Sequence, residues 1–284
     1  MDPAGTSWAA PGAGLWQAPG ARVDVLVAPV PLGWLSALDR PSFGISWCPR
    51  REALTRRRPL DQVRSLAADK LLSVLCRRWG VPAHRYEPTG QPSCGPDAHL
   101  TASHDGDYVV AGIAQRALGV DVVDCRRATG LVARLMSDEE RAADLGRAAA
   151  GQVSAAGRGR AWAVREAALK WAGVGMALDP RALTVVCGAG HLDGRRVRAS
   201  AGGTNGQARP TVPPARADPS SRPDPVCVVG QTWWTVWFPD GRVVSVVAGT
   251  LGADHALALA VEPPVTVRLH DHLLDDDMSP SPPG

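Results

Sequence analysis

Two hydrophobic periods alternate along this 284-residue chain. Val23 to Pro29 (VDVLVAP) is a short apolar run of strand type. Pro31 to Arg40 reads as a turn or short helix ahead of Pro41. From Arg50 to Val81 the period becomes helical, with an interruption near Pro59. Val63, Leu66, Ala67, Leu71, Val74 and Leu75 mark one helix face; Asp61 is placed to cap its start and Gly80 to stop it. After a turn-rich loop over Tyr86 to Pro96, the pattern predicts strands at Asp97–Ala102 and Tyr108–Ala114. They are joined through SHDGD, whose Asp105-Gly106 pair is a hairpin signal. Gly119 to Val123 is a third strand, with Asp121 in its middle. Ser137-Asp138-Glu139-Glu140 is a capping box for a helix to about Ala150. A loop over Gly151–Gly159 then leads into a second strong helix, Ala161 to Gly173. Further strands are predicted at Leu183–Cys187, Val226–Val229, Thr232–Phe238 and Val243–Thr250, then the apolar run His255–Val261 and a last edge strand, Val265–Leu269. Pro239-Asp240-Gly241 is a turn.

Helices and strands are mixed without regular βαβ alternation, so the class is α+β. The pattern divides near 118–130 into two halves, each with helix and antiparallel sheet. The expected organisation is an N-terminal half over 21–120 and a C-terminal half over 121–274, flanked by flexible tails at 1–20 and 275–284. Residues 196–225 are poor in apolar residues and rich in Pro, Gly and Ser, as in a disordered insertion.

The helix AWAVREAALKWAG is apolar almost all the way round. Its charges are Arg165, Glu166 and Lys170. Glu166 and Lys170 stand one turn apart on one face. They make either a solvent-facing ion pair or, on a buried helix, a carboxylate and an ammonium that something must use. Asp121 poses the same question, since a buried strand carboxylate is costly without a partner.

Composition narrows the function. With 45% hydrophobic residues the chain can bury a large core. A net charge of +3 does not point to a nucleic acid or a membrane surface. The arginines, including the run Arg50, Arg51, Arg56, Arg57 and Arg58, are balanced by 28 acids, and no nucleic-acid-binding motif is present. That run reads as a solvated helix edge or as an anion site. Lys70 and Lys170 are the only lysines, in a chain that otherwise uses arginine. The six cysteines form no C-x-x-C pair and read as reduced thiols. No run of 18 apolar residues and no signal-type N-terminus is present, so a soluble cytoplasmic protein is expected.

Three pieces stand in order: TASHDGDYVVAGI, GVDVVD and WAVREAALKWAG. Together they resemble the motifs of the larger, Sfp-type 4′-phosphopantetheinyl transferases: an S-H turn, a G-(V/I)-D-x-E strand and a W-x-x-K-E-A-x-x-K helix. Thr89-Gly90-Gln91-Pro92 sits where that family has G-K-P, and Asp61–Leu72 looks like its nucleotide-contacting helix. The resemblance covers about residues 50 to 190.

The resemblance implies two similar α+β halves related by a pseudo-twofold, with the active site between them. It implies transfer of the 4′-phosphopantetheine arm of coenzyme A to a serine of an apo acyl or peptidyl carrier protein, releasing adenosine 3′,5′-bisphosphate, by a monomer. It implies Mg²⁺ on Asp121 and Glu166, Glu166 as base, and Lys170 on the pyrophosphate. Ser103 and His104 would bind phosphate oxygens; Arg64, Ser65 and Arg56 would hold the adenosine end and its 3′-phosphate. Three positions depart from the family pattern. Val123 replaces the second strand acid, with Asp124 one residue later and on the other face. Arg165 and Gln91 each replace a lysine, and Arg165 is left as a phosphate or carrier contact. The competing expectation is a protein of this type that binds coenzyme A or a carrier without turnover.

Overall fold

The computed structural model describes residues 6–8, 21–38, 58–87, 90–127, 155–187, 228–262 and 265–271. The helix expected from Ser137, Arg50 to Arg57 and the segment 196–225 lie outside the described residues. In chain order the elements are β1 (Thr6–Trp8), β2 (Ala21–Pro29), a 3₁₀ turn (Leu32–Ala37), α1 (Pro59–Trp79), β3 (Arg85–Tyr86), β4 (Pro92–Ser93), β5 (His99–Asp105) and β6 (Tyr108–Ala114). They continue as β7 (Leu118–Asp124), α2 (Ala155–Trp171), β8 (Thr184–Cys187), β9 (Val228–Trp237), β10 (Val243–Leu251), β11 (His255–Val261) and β12 (Val265–Asp271).

Local chemistry sets the helix ends. Pro59 opens α1 at its first position, where a missing N–H costs nothing. Gly80 closes it in the left-handed conformation, φ +65°, with its N–H donating to the carbonyls of Arg77 and Cys76. Asp61 is not the cap expected of it. The capping residue is Arg58, without a side-chain bond, and Asp61 lies in the first turn and accepts from Arg64 at 3.2 Å.

The two halves repeat one topology. β2-β6-β5-β4-β3 and β7-β11-β10-β9-β8 are the same order: in each, the first strand pairs with the fifth and the rest follow in reverse. In both, the helix follows the first strand. This is the α+β architecture of two similar halves. β12 departs from the repeat. It is not an edge strand of the second half but lies parallel to β2 in the first sheet, with β1 antiparallel on its outer side. Thr6–Trp8 is therefore strand rather than tail. β9 is a single strand across both segments expected from the sequence, with a register shift between Ala248 and Thr250 on its partner.

Side-chain alternation builds three apolar layers. On β2, Leu26 and Ala28 pack with Leu66, Leu71 and Leu75 of α1, whereas Val23, Val25 and Val27 face the second sheet. On β7, Val120 and Val122 meet that inter-sheet layer, and Val123 packs with Val164 and Ala168 of α2. The order is thus helix, sheet, sheet, helix. Cys76, Cys94 and Cys125 are buried thiols and Cys187 is exposed. Among the described residues no helix is long and apolar enough to cross a membrane.

Gly119 fixes how closely α2 lies on β7. A Cβ there would stand 1.8 Å from the Ala167 carbonyl oxygen and 2.6 Å from the Trp171 nitrogen, so the two backbones touch. Gly119→Ala should lower the unfolding free energy by about 1–3 kcal/mol, as overpacked cores do. Denaturant titration measures this, and an unchanged midpoint would refute the close approach.

Candidate functional site

α2 presents one polar stripe from a buried helix. Trp162, Glu166 and Lys170, spaced by four, all line a cavity of about 520 Å³. The first half contributes Tyr86, Gly90, Pro92, Ser103, His104 and Asp105, and the second adds Asp121, Val123 and Arg127. The cavity therefore lies between the halves, where the end of β5 meets β7 and α2.

Glu166 and Lys170 do not pair with each other. Lys170 Nζ reaches across to Asp121 Oδ1 at 2.8 Å, to the Val120 carbonyl at 3.0 Å and to the Ala102 carbonyl at 3.3 Å. An ammonium has three donors, and all three are committed. Lys170 thus offers the cavity its charge rather than a free N–H, which differs from the direct pyrophosphate contact expected of it. The same Asp121 Oδ1 also accepts from Ser103 Oγ at 2.7 Å. Asp121 Oδ2 and the Glu166 carboxylate accept no hydrogen bond among the described residues.

Burial governs both acids. Asp121 is 4% exposed, and desolvation pushes its carboxyl up against the lowering pull of Lys170 and Ser103. Glu166 is pushed up to about 7, first by burial and then by the neighbouring Asp121 charge, with Lys170 opposing and Asp105 adding to the rise. Three carboxylates line the cavity, Asp105, Asp121 and Glu166, against two cationic side chains, Lys170 and Arg127, so the acids are in excess. Oxygen donors with unused lone pairs in a negative site suit a hard cation such as Mg²⁺. Among the described residues no group of three or more His, Cys, Asp or Glu gathers around one point. Among the described residues, a cation here could draw on the Asp121 and Glu166 carboxylates, with water or ligand oxygens in the rest of its shell.

The other expected residues divide. Ser103 and His104 line the cavity. Ser65 and Arg64 do not; they lie behind that wall. Ser65, fully buried on α1, meets His104 Nε2 at 3.4 Å. Arg64 donates Nε and Nη2 to the Gly106 carbonyl, at 3.1 and 2.7 Å, and Nη1 to Asp61. Both therefore brace the strand and turn that carry His104. Arg56 lies outside the described residues. Asp124 does not replace the acid missing at Val123. It points away from the cavity and binds Arg126 at 2.9 Å, which holds its carboxyl below the usual range. Arg165 is 1% exposed and does not line the cavity, so this structure does not place it as the phosphate or carrier contact left open for it. Gln91 lines an adjoining cavity of about 500 Å³ that shares Gly90, Pro92, Ala102 and Lys170 with the first.

Sequence reasoning missed Tyr86, Asp105, Trp162 and Arg127 as lining residues. Trp162 could have been found, since it stands one turn before Glu166 on the same stripe. Arg127 carried no signal: it is one arginine among many, placed by the end of β7, and its described partner is Asp105 at 3.4 Å. It is 64% exposed, so its guanidinium is accessible to an anionic ligand.

The raised Glu166 has a consequence for stability. Its carboxyl titrates higher in the fold than its ordinary 4.5, so its contribution is full below that value and declines as pH rises through about 7. In metal-free protein at pH 8, Glu166→Gln should raise stability by up to about 3 kcal/mol, a gain that vanishes near pH 4. Thermal unfolding of both proteins across pH measures it, and an equal or lower midpoint for the variant at pH 8 contradicts the assignment.

No curated protein matches the chain. Residues 117–197, the segment that holds β7, α2 and β8, match the family model of the 4′-phosphopantetheinyl transferase superfamily.

Proposed function

We propose that this chain is an Sfp-type 4′-phosphopantetheinyl transferase. It moves the phosphopantetheine arm of coenzyme A, with Mg²⁺, onto a serine of an apo acyl or peptidyl carrier protein and releases adenosine 3′,5′-bisphosphate. One observation carries the reading. Asp121, Glu166 and Lys170 share one inter-half cavity, and all three lie in the segment that matches the superfamily. The repeated strand order within a single chain supports the two-halved type.

The residues divide the work. Asp121 Oδ2 and the Glu166 carboxylate would hold the metal. Bound there, the ion would neutralise charge on the pyrophosphate oxygens. Lys170, fixed by three acceptors, would present its positive charge to the same oxygens and opposes the rise that burial imposes on Asp121. Glu166 would also take the proton of the carrier serine hydroxyl as its oxygen attacks phosphorus and adenosine 3′,5′-bisphosphate leaves. His104 and Arg127 supply further donors to phosphate oxygens, and the Tyr86 and Trp162 rings wall the cavity. Tyr86 is fixed by its hydroxyl, which donates to the fully buried Asp69.

Incubating the protein with coenzyme A, Mg²⁺ and a panel of apo carriers should increase carrier mass by one phosphopantetheine. No gain on any carrier would refute the enzyme. Glu166→Gln should cut the transfer rate by about 10²–10⁴-fold, the usual contribution of a positioned base. A fully active variant would show that Glu166 is neither base nor ligand.

A further inference from the structure

The turn between β5 and β6 is gripped from the other half of the molecule. It consists of Gly106 and Asp107, with Gly106 at φ +53° and Asp105 paired to Tyr108. From the second half, the Asp124 N–H donates to Asp105 Oδ2 at 2.8 Å, and Arg126 reaches Asp107 at 3.6 Å. His255, the first residue of β11, lies directly under the turn. It is 3% exposed and its Nε2 is 3.2 Å from the Asp107 nitrogen. A Cβ on Gly106 would stand 2.2 Å from the same Nε2. The Tyr108 ring packs edge-on against the imidazole, centroids 4.9 Å apart.

Hydrogen-bond chemistry fixes the state of this ring. A main-chain N–H only donates, so Nε2 must carry a lone pair and any proton of the neutral ring must sit on Nδ1. An imidazolium has no acceptor and would leave the Asp107 N–H without a partner. We propose that neutral His255 is a positioning residue that latches the β5–β6 turn across the two halves and so sets His104 and Asp105 in the cavity wall. The structural part stands by itself; the ligand consequence rests on the transferase reading.

The surroundings set the direction of the pH response. Asp124 on β7, Asp107 and Asp105 on the hairpin, and Arg126 after β7 face the ring. Burial dominates and holds His255 below its ordinary 6.5, against the three carboxylates and with the help of Arg126. The unfolded chain therefore takes up the His255 proton first. The latch is intact above about pH 6.5 and weakens progressively below it.

The test measures protection of the Asp107 amide by hydrogen exchange from pH 8 to pH 5, corrected for intrinsic rates, in the wild type and in His255→Gln. Glutamine offers an acceptor that does not titrate. Wild-type protection should fall at least about fivefold at the acid end, the factor corresponding to one net hydrogen bond, and the variant should change far less. In parallel, wild-type affinity for coenzyme A should weaken over the same range. Constant wild-type protection down to pH 5, or an identical fall in the variant, would overturn the latch. Wild-type protection alone decides this if the variant does not fold. A fall in protection with no coenzyme A binding at any pH would support the latch and refute the transferase reading instead.

Discussion

The close approach of α2 to β7 is the constraint on which the site depends. Gly119 has no Cβ, so the helix backbone settles onto the strand at Ala167 and Trp171. Two residues along β7, alternation points Asp121 to the same side. Glu166, the residue before Ala167, and Lys170, one turn beyond Glu166, then line the cavity. Lys170 bridges the carbonyls of two strands, Ala102 on β5 and Val120 on β7, so one side chain joins the two halves beside the carboxylates.

The same arrangement accounts for the electrostatics. Lys170 is half-buried with its donors satisfied, so its charge is held in place and would need no reorganisation on the arrival of an anionic ligand. Asp121 pays for its burial with Lys170 and Ser103 as partners, whereas Glu166 has no described partner and is pushed up to about 7. The two acids thus differ in role by environment: one is anchored, and the other remains open to a proton or a cation.

Much of this was legible in the sequence, and the remainder was not for physical reasons. The apolar circumference of α2 announced its burial, and the i,i+4 spacing placed Glu166 and Lys170 together. The Lys170 partner was not readable, because Asp121 lies 49 residues away and competes with a neighbour one turn off. Arg64 was expected at the adenosine end of the ligand because Asp61–Leu72 resembles the family's nucleotide-contacting helix. Only the fold reveals that the Gly106 carbonyl, 42 residues on, takes two of its donors. β12 reads as an edge strand because periodicity reports burial and not pairing; its parallel union with β2 is a property of the assembled halves. The repeated strand order was likewise invisible, since it lies in pairings rather than in residue types.

Linked binding tests the central claim, a metal and phosphate site built on Asp121, Glu166 and Lys170, without relying on a carrier protein. Coenzyme A affinity would be measured calorimetrically with and without Mg²⁺, in the wild type and in Asp121→Asn. The account predicts that Mg²⁺ tightens coenzyme A binding in the wild type, and that the enhancement is lost when Asp121 no longer supplies a carboxylate. Equal enhancement in both proteins, or none in the wild type, would contradict it.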